Sequence, residues 1–337
     1  MSFAALDLAF VWAALIAFAV FAYVMLDGFD LGVGILFAMT REDEERDAMM
    51  ASIAPVWDGN QTWLVLGGGG LLAAFPLAYA IVMPALYGPI VVMVLALIFR
   101  GVAFKFRVRS PRARGAWDAG FAAGSIVATL AQGVVLGALV QGLRVENRAF
   151  VGGPFDWLSA FVVITALALL VAYALLGATW LVMKTSGALQ ARMRALAKAA
   201  AVGTLFAIAA VSLLTPWLHP TYFDRWFGRP QVYFVMIVPA LVALCGLVLL
   251  RALARAAETT PFLAAQALFA LCFAGLGVSF YPHIVPPGLT IAEAAAPRAS
   301  LSFLLVGALL LLPLVLGYTA HSYWTFRGKV TARDVGY

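Results

Sequence analysis

Apolar runs long enough to cross a membrane recur along almost all of this chain's 337 residues. A helix of about 20 apolar residues covers the ~30 Å hydrocarbon core of a bilayer. Within hydrocarbon only helices and closed barrels satisfy every backbone N–H and C=O group. The runs do not alternate apolar and polar residues as barrel strands do. Hydrophobic residues make up 64% of the chain and charged residues only 11%, with a mean hydropathy of +0.98. That leaves too little polar surface to cover a water-soluble domain. The expected fold is an all-α polytopic membrane protein.

Apolar length places nine transmembrane helices at roughly 8–38, 53–75, 78–104, 117–142, 157–183, 196–217, 231–252, 261–283 and 300–325. Pro76, Pro84 and Pro89 mark a tight turn and a kink around the second connection. The first run lacks a basic n-region and a small-residue cleavage site, so it reads as a span and not as a cleaved signal. Ala22, Tyr23, Leu26 and Gly28 in the first span are echoed by Ala172, Tyr173, Leu175 or Leu176, and Gly177 in the fifth. The echo suits two four-helix bundles, residues 1–150 and 151–290, followed by a peripheral ninth helix and tail over 291–337.

Lys and Arg orient the chain. With each assigned to its nearest loop, 17 of the 22 fall after odd-numbered spans or in the C-terminal tail, against 5 elsewhere. The expected orientation is therefore N-terminus outside and C-terminus cytoplasmic. The same asymmetry accounts for the net charge of +6 with no nucleic-acid partner. The acidic run Glu42–Asp47 does not oppose it, because acids contribute little to topology. That run reads as a solvated loop or a helix start.

Three acids interrupt this apolar pattern: Asp27 and Asp30 in the first span, and Asp58 near the start of the second. Ionised side chains in a membrane are costly and generally face a bundle interior or a polar path. Asp27 and Asp30 share a helical face by their spacing. In a helical second span Asp58 shares one with Gln61, as does Trp57, while Asn60 pairs with Trp63. In this orientation all three acids enter at the cytoplasmic half, and their carboxylates and amides are expected to meet in one patch. Carboxyl groups held away from water, with amides and trapped water between them, make a chain that passes protons. The structural alternative is that the acids satisfy helix ends or pair with Arg100.

Other features carry less chemistry. Gly67 to Gly70 lack the Gly-Lys-Ser/Thr of a phosphate loop and suit close helix packing instead. The DGFD run from Asp27 lacks the later ligands of a calcium loop. Cys245 and Cys272 lie in apolar runs as packing residues. His219, His283 and His321 are scattered, so a haem or metal site made by this chain alone is not expected. Trp12, Trp157, Trp217, Trp226 and Trp324 fit an interfacial belt.

The long motifs resemble those of subunit II of cytochrome bd-type quinol oxidases. They are DGFDLGVG from Asp27, APVWDGNQTWLVLGGGGLLAAFPLAYA from Ala54, RGVAF from Arg100, QGVVLGALVQG from Gln132 and VAYALLGATWLVMKT from Val171. The Trp57–Trp63 run and the segment from Gln132 look most like the cyanide-insensitive branch. The resemblance implies a haem-free partner of a subunit I that holds haems b and d, the oxygen-reducing centre and the quinol-oxidising loop. It implies nine spans in a bacterial cytoplasmic membrane, and a share in a cytoplasmic proton route. Asp58 matches the acid assigned to that route, and Asp30 and Asp27 match neighbouring family acids. Trp57, Asn60, Gln61 and Trp63 would shape or hydrate the path, with Arg100 as counter-ion. It allows a structural quinone and a small single-span subunit beside the expected membrane lipids. Where the family usually has an acid after RGVAF, this chain has Lys105, which cannot replace a proton-relaying carboxylate.

Two functions follow from these readings. The first is a subunit of an electrogenic, non-pumping oxidoreductase that reduces oxygen to water with electrons from quinol. The alternative is a proton-coupled secondary transporter using the same acids. Acids near one face and a single Gly-rich candidate break disfavour transport, which commonly uses helices broken at the midplane.

Overall fold

The structure, a computed structural model, describes residues 7–230 and 232–330. Residues 1–6 of the first expected unit, residue 231 at the expected start of the seventh span, and residues 331–337 with Arg333 of the basic tail lie outside these. Helix α1 (Leu8–Phe37) opens at Asp7, whose carboxylate accepts from the backbone N–H groups of Ala9 and Phe10. A short helix, α2 (Asp43–Ile53), follows, with Asp43, Glu44 and Glu45 in its first turn, where acids complement the helix dipole. Then come α3 (Trp57–Ala74), α4 (Pro76–Ala85), α5 (Tyr87–Arg109) and α6 (Arg114–Gln141). After β1 (Val145–Glu146) and β2 (Ala149–Phe150) come α7 (Ala160–Lys184) and α8 (Gly187–Leu214), then α9 (Pro220–Phe227), α10 (Val232–Val235), α11 (Ile237–Ala254) and α12 (Thr260–Phe280). β3 (His283–Val285), β4 (Leu289–Thr290) and α13 (Ile291–Ala294) precede α14 (Arg298–Thr325).

Among the described residues, eight helical segments are each long and apolar enough to cross a membrane, and a ninth span results if α3 and α4 count together. This revises the second and third spans. The chain bends by 120° between α3 and α4, so residues 76–85 form a separate helix and the third span is α5. Pro76 starts α4, Pro84 lies inside it, and Leu86 breaks it from α5. The prolines predict interruptions at these points, but the direction of the bend depends on packing. α4 buries Ala78, Ile81 and Ala85 in an apolar cluster with Trp12, Leu143, Val285 and Leu301. The sixth span also starts earlier than expected, at Gly187.

The helices form an array with two distinct ends. One, the basic end, carries α2, the end of α5, the start of α6 and the end of α14. The other, the hairpin end, carries α4 and the two short β-ladders. At Asn147 and Arg148 both φ values are positive, the geometry of a tight two-residue hairpin turn. α1 packs on α3, α6 and α7; α5 packs on α6; α7 packs on α6, α8 and α12; α11 packs on α12 and α8; and α14 rests on α1 and α3.

The crossing of α1 and α7 is the closest of these contacts. A Cβ added at Gly32 would stand 1.9 Å from the Tyr173 carbonyl oxygen, and one added at Gly177 would stand 2.2 Å from the Gly32 carbonyl carbon. Both obstacles are backbone, so no rotamer change relieves them. Small residues let membrane helices approach in this way. At the basic end, Arg107 pairs with both Asp47 and Asp118, Arg46 with Asp118 at 3.0 Å, and Arg114 with Asp47 at 2.6 Å. Arg46 and Arg107 also lie over the Phe37 ring. The acidic run is therefore a helix start, and its Asp47 ties the loop after α1 to the loop after α5 instead of being solvated alone.

Gly32→Ala is expected to destabilise the protein by about 3 kcal/mol or more, as overpacking against rigid backbone does. Gly277→Ala, where an added Cβ meets nothing within 4 Å, should be near neutral. Thermal unfolding of the two variants in detergent checks this; equal midpoints would contradict the close crossing.

Candidate functional site

Three residues after Asp27, Asp30 lies on the same face of α1, and that face meets α5 and α3. Arg100 of α5 donates from Nη1 to Asp27 Oδ1 at 2.9 Å and Oδ2 at 3.2 Å. Its Nη2 stands 4.0 Å from Asp30 Oδ2. The Arg100 side chain is 1% exposed and both acids are 0% exposed. From α3, Asn60 Nδ2 donates to Asp30 Oδ2 at 2.7 Å and to the Leu26 carbonyl at 3.2 Å. The Asn60 Oδ1 accepts from the Tyr323 hydroxyl of α14 at 3.0 Å. Four helices thus converge on one polar cluster, in the half of α1 nearer the basic end.

The charges constrain what this cluster can do. Two carboxyl groups share one guanidinium. Two ionised acids would leave a net negative charge away from water, at a cost of several kcal/mol. One ionised acid paired with Arg100 and one protonated acid would leave the cluster neutral. Asp30 Oδ1 and Arg100 Nη2 are buried and make no hydrogen bond to the described residues.

The expectation that all three acids meet is corrected here. Asp27 and Asp30 come together, with Asn60 and Arg100, but Asp58 does not join them. Asp58 and Asn60 are two residues apart, about 200° around a helix. With Asn60 turned in to Asp30, Asp58 faces outward and is exposed, and its carboxylate makes no hydrogen bond to the described residues. Gln61 is half-buried with Nε2 unpartnered. Trp63 is buried edge-on to Phe18, with Nε1 also unpartnered. Trp57 packs beside Phe104, and Lys105 Nζ lies 5.6 Å from its ring centre, outside the cluster. Of the four glycines, Gly67 and Gly70 pack against Val20 and Ile16 of α1, whereas Gly68 and Gly69 face open space.

Sequence reasoning passed over several polar groups. Gln132 of α6 donates to the Tyr23 hydroxyl at 2.6 Å and accepts from the Tyr173 hydroxyl at 3.1 Å. These tyrosines are the echoed pair of spans one and five, and Tyr23 lies one turn from Asp27. The echo was the available signal, together with a lone glutamine in an apolar run. Tyr323 offered none, since an aromatic near a span end reads as part of an interfacial belt.

The histidines do not converge. His219 Nε2 lies 2.6 Å from the Gln141 carbonyl at the hairpin end, His283 is in β3, and His321 is near Thr325 at the basic end. Among the described residues no three His, Cys, Asp or Glu side chains gather as metal ligands. A cavity of about 200 Å³ lined by Gln141, Leu143, Arg144 and Trp157 lies at the hairpin end, away from the acids.

Known proteins resemble this chain along nearly its whole length. Cytochrome bd-I ubiquinol oxidase subunit 2 of Escherichia coli (strain K12) is 31% identical, over 97% of this chain and 96% of its own length. Cytochrome bd ubiquinol oxidase subunit 2 of Bacillus subtilis (strain 168) is 27% identical, over 96% of this chain and 97% of its own. In fold, the chain is similar to one from the bd oxidase of Geobacillus thermodenitrificans, with a TM-score of 0.77 over 95% of this chain and 99% of that one at 18% identity. The family model for cytochrome bd terminal oxidase subunit II matches residues 8–326, and on that extent the chain belongs to this family of subunits of respiratory quinol oxidases.

Proposed function

We propose that this chain is the haem-free subunit of a membrane quinol:oxygen oxidoreductase, paired with a haem-bearing subunit I, and that it supplies protons to that partner from the cytoplasm. One observation carries the reading: two buried carboxyl groups share one guanidinium on the side of the array nearer its basic end. Reduction of oxygen to water consumes four protons, and drawing them from the side opposite to proton release makes turnover electrogenic without a pump. Quinol would be the electron donor; haems b and d and the quinol-oxidising loop would belong to the partner. The chain would span the bacterial cytoplasmic membrane with its basic end inside, a reading the Lys and Arg distribution supports.

In this reading Asp27 and Arg100 form the fixed pair, and Asp30 is the acid that exchanges a proton. Asp58 lies outward on the same stretch of α3, where a neighbouring subunit would shield it. It is the handover point to subunit I. Trp57 and Trp63 wall the start of α3, while Asn60 and Gln61 contribute its amides. In the same reading α1–α3–α5–α6 and α7–α8–α11–α12 are two four-helix units, joined where α7 packs on α1 and α6, with α14 outside them. These correspond to residues 1–150, 151–290 and 291–337. The transporter reading gains nothing from the break between α3 and α4, which falls at Phe75 of the hairpin end and not beside the acids.

Affinity purification of this chain from its native membrane is expected to bring down a haem-bearing subunit with haem absorbance; a haem-free isolate would defeat the oxidase reading. Asp58→Asn should leave assembly and haem content intact while slowing oxygen reduction by about tenfold or more, the reach of a lost proton-transfer group. Normal turnover in that variant would remove Asp58 from the route. Arg100→Leu strands two acids and should abolish accumulation of the complex, at about 3–5 kcal/mol for a broken buried pair. Adding Asp27→Leu should restore part of the yield, measured as haem per milligram of membrane protein.

A further inference from the structure

α14 is the least buried of the long helices, and its basic end is tied down by the segment that follows it. Lys184 Nζ donates to the Phe326 carbonyl at 2.7 Å, and the Val330 N–H donates to the Lys184 carbonyl at 2.8 Å. Lys329 Nζ donates to Glu258 at 2.7 Å, and Gln190 donates to the same oxygen at 2.9 Å. The last described residues thus form a strap across the ends of α7 and α12. Just before this strap, Tyr323 turns inward. Its ring stands edge-on to Phe29 and Trp180, and its hydroxyl reaches Asn60.

The Asn60 amide has two chemically different ends. Its NH2 group serves Asp30 and the Leu26 carbonyl, and its oxygen serves Tyr323. Rotated by half a turn, it would set an oxygen against the Asp30 carboxylate and an NH2 toward α14. The Leu26 carbonyl and the Asp30 carboxylate, both acceptors, select the first arrangement, and the Tyr323 hydroxyl anchors the oxygen end so that the amide stays in place.

We propose that Tyr323 is a positioning residue for proton transfer: its hydroxyl holds the Asn60 amide with Nδ2 toward Asp30, so that seating of α14 and its strap prepares the buried acid. This rests on the reading of Asp30 as part of a proton route. Tyr323 touches no reacting group and acts through Asn60. The alternative role for the ring, packing against Phe29 and Trp180, needs no hydroxyl.

The test uses the whole oxidase complex in native membranes, with Tyr323→Phe, Tyr323→Leu and Asp30→Asn compared for haem spectrum, kcat and quinol KM. Tyr323→Phe is expected to assemble normally, keep its KM, and lose roughly three- to tenfold in kcat, the scale of one neutral hydrogen bond. If Tyr323→Phe turns over like the parent while Tyr323→Leu does not, the ring acts by packing and the proposal fails. Failure of Tyr323→Phe to assemble also overturns it, placing the hydroxyl in folding. A slow Asp30→Asn beside a normal Tyr323→Phe defeats this inference alone. A normal Asp30→Asn removes Asp30 from the route, and a slow Tyr323→Phe beside it would show the hydroxyl acting without Asp30.

Discussion

A guanidinium between two carboxylates, in a segment with hydrocarbon around it, is the constraint on which the rest of this structure hangs. Arg100 belongs to α5 and the acids to α1, so the pair cannot form unless those helices lie side by side at a set depth. Leaving any member alone costs several kcal/mol, more than most single packing contacts supply. The interaction therefore acts as a registry device. α3 enters the same register through Asn60, and α14 through Tyr323.

Around that cluster the long helices approach by backbone. At Gly32 and Gly177 there is no room for a side chain, and one residue further along each helix apolar side chains resume. The close crossing puts Tyr23 and Tyr173 on either side of Gln132, joining α1, α6 and α7 through one amide. The polar groups beyond the acids thus follow from how tightly α1 and α7 pack. At the basic end, Asp47 and Asp118 engage Arg46, Arg107 and Arg114, and this closes the loops over α1, α5 and α6. The two charged layers differ in character, since the outer one has water as a fallback and the inner one does not.

Much of the fold was legible because membrane spans announce themselves by length and apolarity. α1, α6, α7, α12 and α14 stand close to where apolar runs put them. The bend at Phe75 was not legible: three prolines predict interruption without saying which way the chain leaves, and burial of Ala78, Ile81 and Ala85 decided it. The i,i+3 spacing located Asp27 and Asp30 correctly on one face. The same kind of reasoning placed Asp58 with them, because the rotation of α3 about its own axis is not encoded by spacing. Tertiary contacts, with Asn60 turned to Asp30 and Gly67 and Gly70 against α1, set that rotation, and they send Asp58 outward.

The sequence by itself determined that the chain spans a membrane many times, that acids interrupt its first apolar spans, and that its motifs are those of an oxidase subunit. Those conclusions depend on composition and local pattern, which apolar length and charge cost make readable. Which acids share a counter-ion, which one faces a neighbour, and which aromatic closes the cluster were decided by tertiary structure alone. Helix rotation and crossing distance arise from contacts between residues far apart in the chain. Asp30 and Tyr323 are linked through Asn60 across nearly 300 positions, and no local pattern carries that information.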